Sequence, residues 1–223
     1  VSIDIQQPWR QSFLVAEACA RLLLDHPLGR LLDAGGGEGM VTTYLMRSRK
    51  VDEAVVLDQN RGLLDQVPPP CHTKVGRIED LGRSDGEFDT ILLRQVLHYV
   101  ASPEKALRTL RRRLRPGGAI YVGQMVAPNA NAATWLGTAA NWVSAKRHRV
   151  WTVDQLLTRF ASGGLSVEQA SVVPHWQVLD DQAREHRDSM SGAVKVALPV
   201  EDAPDGPYCR IFWLHALLRS AGS

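Results

Sequence analysis

Apolar positions along the chain change their period several times, and each change marks an element. Over residues 10–25, Phe13, Leu14, Ala18, Leu22 and Leu23 recur at helical spacing until Pro27 forbids continuation, which predicts a helix. Arg30-Leu31-Leu32-Asp33-Ala34 is a short apolar run that breaks into Gly35-Gly36-Gly37-Glu38-Gly39 and resumes from Val41 to Met46, reading as strand, glycine turn and helix. The unit recurs, with a strand at 53–58 that ends in Asp58 and a short helix over 61–66 before the linker Pro68-Pro69-Pro70. A third apolar run, 87–93, precedes a helical stripe of Ala106, Leu107, Leu110 and Leu114 within 103–115, closed by Pro116-Gly117-Gly118. Residues 119–125 then read as another strand. Strands alternating with helices at this spacing predict an α/β fold, a parallel sheet covered on both faces and joined by right-handed crossovers.

From Val126 the texture changes. Pro128-Asn129-Ala130-Asn131 opens an Ala-rich helical stretch to about Arg149 that carries Trp135 and Trp142 and reads as a lid. Thr152 and Gln155 fit a capping box for a helix over 153–160, Gly163-Gly164 ends it, and Leu165 to Pro174 is strand-like. Residues 177–207 mix a polar helix with a turn-rich end, and Cys209 to Leu217 is a last strand.

Composition narrows the class. With 223 residues, 44% hydrophobic, 22% charged and 6% aromatic, the chain reads as one soluble globular domain with a full core. No window approaches the ~18 unbroken apolar residues of a spanning helix, and Asp4, Glu17 and Asp25 stand where a signal peptide would be apolar, so a cytoplasmic protein without a membrane partner is expected. Cys19, Cys71 and Cys209 are isolated and suggest neither a disulfide framework nor a metal site. A net charge of +2 is too slight to imply nucleic acid, and the run Arg108, Arg111, Arg112, Arg113, Arg115 interleaves with an apolar helical stripe, as a solvated face does.

The glycine turn carries the chemistry. A dinucleotide fingerprint wants G-x-G-x-x-G, whereas Gly35, Gly37 and Gly39 alternate and position 40 is methionine; a nucleotide P-loop would need a lysine-serine pair that is absent. The turn offers bare backbone beside a helix N-terminus, preceded by Asp33, which suits a ligand with an amine, a carboxylate and a ribose. Asp58 ends the next strand, where an acid can accept two hydrogen bonds from a ribose diol. Together these describe an adenosyl ligand without a pyrophosphate.

On these residues the sequence resembles the class I S-adenosylmethionine-dependent methyltransferases, in the small-molecule branch similar to the ubiquinone and menaquinone C-methyltransferases. Residues 31–39 look like the family's D-x-G-x-G-x-G motif, and Asp58 sits where its ribose-binding acid does. Val75 to Leu81 resembles the adenine-framing segment, residues 88–93 the fourth strand, Val96-Leu97-His98-Tyr99 the stretch after it, and Leu114 to Gly118 the turn before the fifth parallel strand. The resemblance spans roughly residues 28–125 and returns weakly at 151–174. It implies a doubly wound, Rossmann-like, mostly parallel seven-stranded sheet with a helical lid insertion. Within a single domain of residues 1–223, it implies an N-terminal helix (1–27), a cofactor-binding core (28–125), the lid (126–150) and a C-terminal part (151–223) with an acceptor-site insertion. Cofactor contacts are expected from Asp33, Gly35, Gly37, Gly39, Asp58, Gln59, Ile78, Glu79 and Arg94. Glu79 (or Asp80) takes the adenine-edge role because Arg77 stands where the family usually has an acid.

For the acceptor, the expectation is a small molecule methylated on an O, N or activated C atom, enclosed by Tyr99, Trp135, Trp142, His175 and Trp176. His98 is read as a general base, against a packing histidine; Arg94 as a cation for a carboxylate or phenolate, against a salt bridge to a neighbouring acid. The tryptophans are either an aromatic wall or ordinary core. Cyclisation or aminoalkyl transfer with the same cofactor is the alternative chemistry. Base methylation ranks lower, because Leu93-Arg94-Gln95-Val96 replaces the Asn/Asp-Pro-Pro-aromatic signature. The oligomeric state is left open.

Overall fold

The computed structural model describes residues 27–47, 50–143, 149–178, 189, 192, 197, 200–203 and 206–222, with backbone alone at 139–143, 175–178, 200–203 and 206–210. The N-terminal helix expected over residues 10–25 lies outside the described residues. In chain order the elements are β1 (Gly29–Ala34), α1 (Met40–Met46), β2 (Val51–Asp58), α2 (Arg61–Leu64), β3 (His72–Val75), β4 (Phe88–Arg94) and α3 (Pro103–Arg112). They continue with β5 (Leu114–Ala127), α4 (Ala130–Val143), β6 (Trp151–Thr152), α5 (Val153–Ser162), β7 (Leu165–Val178), β8 (Val200–Ala203) and β9 (Gly206–Ser220).

One sheet runs through the protein in the order β3-β2-β1-β4-β5-β9-β7, with β6 attached to β5 and β8 to β9. The first five strands are mutually parallel, and β9 enters antiparallel between β5 and β7. The expected seven-stranded, mostly parallel sheet is therefore the path of this sheet, and the two added strands are short. Leu31, Leu32, Ile91, Leu92 and Leu93 are all buried, so these central strands are covered on both faces and carry continuous apolar runs, not alternation. On one face Leu32, Ile91 and Leu93 pack with Leu107 and Leu110 of α3 and Leu156 and Phe160 of α5. On the other, Leu31 and Leu92 pack with Val41 and Leu45 of α1.

Two boundaries differ from the sequence pattern. Helix α3 ends at Arg112, because Pro116 disfavours helical backbone at Arg115 and Leu114 is claimed by the sheet, where it pairs with Phe88. The next pair is Thr90 with Ala119, so residues 115–118 loop out of β5 as a bulge, with Gly117 at φ +76°. Strand β3 is exposed at all four positions, and its pairing with β2, not an apolar pattern, makes it a strand. The capping box of α5 is formed as its spacing predicts: the Gln155 N–H donates to Thr152 Oγ1 at 3.4 Å, and Gln155 Oε1 accepts from the Thr152 N–H at 3.1 Å. Among the described residues, no helix is long and apolar enough to cross a membrane, and no group of three or more His, Cys, Asp or Glu could hold a metal ion.

Candidate functional site

The strand order reverses between β1 and β4, which leave the sheet in opposite crossover directions, and a crevice opens at their carboxyl ends. A cavity of about 650 Å3 occupies it, within the range of small-molecule sites. Its walls are built at the carboxyl ends of four adjacent parallel strands: Gly35 and Gly37 after β1, Asp58 and Gln59 at the end of β2, Gly76 to Glu79 after β3, and Gln95, Val96 and His98 to Ala101 after β4. One sequence-distant residue, Arg149, also lines it.

Gly37, at φ +55°, has a left-handed backbone, and a Cβ built there would meet only Leu63 Cδ1 at 3.7 Å. A side chain at this position would therefore run into the cavity. Gly35 has a different reason, because a Cβ there would lie 2.5 Å from Val96 Cγ2, where the β1 and β4 loops touch. Asp58 binds the turn to its own strand end: Oδ2 accepts from the Gly37 N–H at 3.1 Å and Oδ1 from the Asn60 N–H at 2.9 Å. A carboxylate has about four lone-pair sites, so each oxygen keeps acceptor capacity for a diol while the backbone bonds hold it in place. The open space at Gly37 beside this fixed carboxylate leaves room for an adenosyl amino-acid ligand, and Ile78 and Glu79 line the same cavity. Glu79 faces Arg77 at 3.4 Å, so the acid expected at the adenine edge is one half of an ion pair.

Several expected residues meet at this cavity: Gly35, Gly37, Asp58, Gln59, Ile78, Glu79, His98 and Tyr99 all line it. Burial pushes the Tyr99 hydroxyl above its usual value. Gly39, Asp33, Arg94 and Trp135 do not line it. Gly39 is the N-cap of α1, packed toward Val67 and Val56. Asp33 is buried behind the turn, where its Oδ2 accepts from Thr42 Oγ1 at 2.6 Å; burial drives its carboxyl up, more than the Thr42 bond and the Arg94 charge bring it down. Arg94 is on the same side of the sheet as Asp33, because Asp33 opposes Leu92, two residues earlier on β4. Its charge acts on that buried carboxyl. Trp135 packs with Ala132, Leu136 and Ile211 under α4. The side chains of Trp142, His175 and Trp176 lie outside the described residues; by register, His175 and Trp176 stand opposite Ile211 and Arg210 on β9. Of the expected lid, 126–150, Arg149 alone lines the cavity among the described residues.

Polar residues that the sequence pattern did not single out complete this region. Gln95, the first residue after β4, has a left-handed backbone at φ +52°, and its N–H donates to the Gly123 carbonyl at 2.8 Å. Gln124 Nε2 lies 3.0 Å from both Gln95 Oε1 and His98 Nδ1. On the opposite face of the sheet, Tyr121 Oη lies 2.5 Å from His215 Nδ1, both buried. The available signal was a polar residue inside an apolar strand run, Gln124 within 119–127 and His215 within 211–218. The basic run is dispersed into separate contacts: Arg115 pairs with Asp89 at 2.7 Å, and Arg113 donates to the Gly82 carbonyl at 3.0 Å.

Comparison with known proteins agrees with this geometry. Residues 9–170 match a family described as a methyltransferase domain. A ubiquinone biosynthesis O-methyltransferase of Rhizobium etli is 27% identical over 177 residues, 72% of this chain and 71% of that protein. The chain spans less than half the length of several other curated relatives it matches, 24%, 40% and 4% of three of them. Among solved structures, a Bacillus halodurans methyltransferase candidate superposes with a TM-score of 0.80 at 14% identity, covering 92% of this chain and 98% of that one. CalO1, a methyltransferase in calicheamicin biosynthesis solved with S-adenosylhomocysteine bound, gives 0.60 at 16% identity, covering 95% and 55%. With a match across most of its length and a cavity that fits the cofactor, the chain belongs to the methyltransferase-domain family, whose methyl donor is S-adenosylmethionine.

Proposed function

We propose that this domain transfers a methyl group from S-adenosylmethionine to an O, N or activated C atom of a small biosynthetic intermediate. One observation carries the reading: the cavity at the strand-order reversal joins an open glycine, Gly37, to a carboxylate held by backbone, Asp58. When bound, the cofactor supplies a methyl carbon on a sulfonium, which leaves as a thioether as the acceptor's electron pair forms the new bond in line. The protein's part is placement. The turn at Gly35 and Gly37 takes the amino-acid end, Asp58 fixes the ribose, and Ile78 with Glu79 borders the base. Gln95, Val96, His98 and Tyr99, after β4, line the cavity with the turn after β1, and an acceptor would approach on their side.

Calorimetry with S-adenosylhomocysteine tests the site. Wild-type protein should bind in the micromolar range and give no signal with NAD, and Gly37→Leu should abolish binding, since its side chain would fill the ligand's space and strain a left-handed backbone. Binding by Gly37→Leu equal to wild type would refute the assignment. Incubation with S-adenosylmethionine and candidate acceptors then distinguishes the chemistry: adenosylhomocysteine as product marks methyl transfer, and methylthioadenosine marks attack on the aminobutyrate arm.

A further inference from the structure

We infer that Gln124 fixes the tautomer of His98, so that His98 meets the ligand of the cavity as an N–H donor and not as a proton acceptor. The inference rests on the cavity being the methyl-transfer site and assigns one of its residues a definite role.

Gln124 is 1% exposed, and its amide nitrogen sits between two acceptors, Gln95 Oε1 and His98 Nδ1, each at 3.0 Å. An amide nitrogen has two protons and no lone pair to offer, so it donates to both. His98 Nδ1 must then present its lone pair, and the single proton of the neutral ring resides on Nε2. The opposite orientation of the Gln124 amide is less favourable. Its oxygen has no hydrogen-bond partner among the described residues; a half-turn would bury an NH2 group there, with two unmet donors in place of an unmet acceptor. Gln95 is held for this contact by its left-handed backbone and by the bond from its N–H to Gly123, the neighbour of Gln124.

His98 lies in the tight turn at 97–99, 8% exposed, and lines the cavity with the Tyr99 ring 4.0 Å away. With Nδ1 occupied, the ring edge away from Gln124 carries the N–H. A residue in that state cannot take a proton from a methyl acceptor without breaking its bond to Gln124. It can hold an atom with a lone pair, as a carboxylate or phenolate oxygen has. The acceptor class that fits is one that arrives already nucleophilic, or that releases its proton to water. Among the described residues, the charged and titratable groups sharing the cavity with His98 are Asp58, Arg77, Glu79, Tyr99 and Arg149.

Long-range 1H–15N NMR of the histidine side chains at neutral pH reads the tautomer directly, with the His98 signals assigned by their absence in His98→Gln. The expected result is a protonated Nε2 and an unprotonated Nδ1, both in the free protein and with saturating S-adenosylhomocysteine. A proton on Nδ1 in either state overturns the inference. Gln124→Glu replaces the donor with a group that only accepts, so the proton should move to Nδ1 and the ring should bind protons at least about tenfold more tightly. Gln124→Met, which keeps the volume and removes the donor, should show a detectable Nδ1-protonated fraction beside the intrinsically preferred Nε2 form; retention of the wild-type tautomer in Gln124→Glu also overturns the inference. Failure of wild-type protein to bind S-adenosylhomocysteine would instead refute the assignment of the cavity and leave the tautomer measurement standing.

Discussion

Asp58 and Asp33 are both carboxylates at the ends of neighbouring parallel strands, and the structure gives them different work. Asp58 is partly exposed, accepts from two backbone N–H groups and faces the cavity. Asp58→Ala should weaken S-adenosylhomocysteine binding by ~1–3 kcal/mol, the range for losing a hydrogen bond to a charged group, as read by calorimetry. Asp33 is buried, and its folded-state pKa is raised above the unfolded value, chiefly by desolvation. By linkage, its contribution to stability is fully present below the unfolded pKa and is lost as pH rises through the folded one. Asp33→Asn keeps an oxygen for Thr42 and removes the charge, so the variant should melt higher than wild type at neutral pH. The difference should vanish as the pH falls below the ordinary carboxylate range. A melting series in which Asp33→Asn is the less stable protein at neutral pH would show that the Arg94 charge outweighs desolvation.

At the scale of elements, packing overrides pattern where an apolar residue serves two structures. Leu114 continues the stripe of α3 by spacing, yet it is the first residue of β5, because Pro116 requires extended backbone before it. Where a local rule is self-sufficient it holds: the Thr152–Gln155 box starts α5, whose Leu156 and Phe160 are fully buried against the sheet. Thr152→Ala should therefore cost ~1 kcal/mol in a denaturant titration, with an unchanged m-value. Close approach between helices matters as well, since a Cβ at Gly163, just after α5, would lie 2.8 Å from Leu107 Cβ on α3. Gly163→Val should destabilise by ~1–3 kcal/mol through overpacking, measured in the same titration.

For the whole molecule, the cavity's walls belong to loops after four neighbouring strands, so a ligand there contacts segments spread from Gly35 to Ala101. Such a ligand binds the folded chain and not the unfolded one. At a hundred times its Kd, S-adenosylhomocysteine should raise stability by ~2.7 kcal/mol, and the accompanying rise in Tm should be absent in Gly37→Leu. A Tm rise of the same size in that variant would place the ligand elsewhere.

The alternation of strands and helices, the glycine turn and the acid at the end of β2 are legible in the chain, because each is written in a local period or in a residue type with a local conformational purpose. From these came the parallel sheet and the proposal of an adenosyl ligand, and Gly37 and Asp58 line the cavity. Strand β3 escaped notice because an exposed edge strand needs no apolar period; its partner β2 defines it. Which polar residues meet was settled by the folded sheet and by nothing local. Gln124 on β5 reaches both Gln95 and His98, which follow the neighbouring strand β4, and Asp33 and Arg94, both at strand ends, turn to the sheet's other face. Spacing along a chain gives the face on which a side chain lies, whereas the register between strands gives its neighbours, and a proton's position on His98 depends on neighbours.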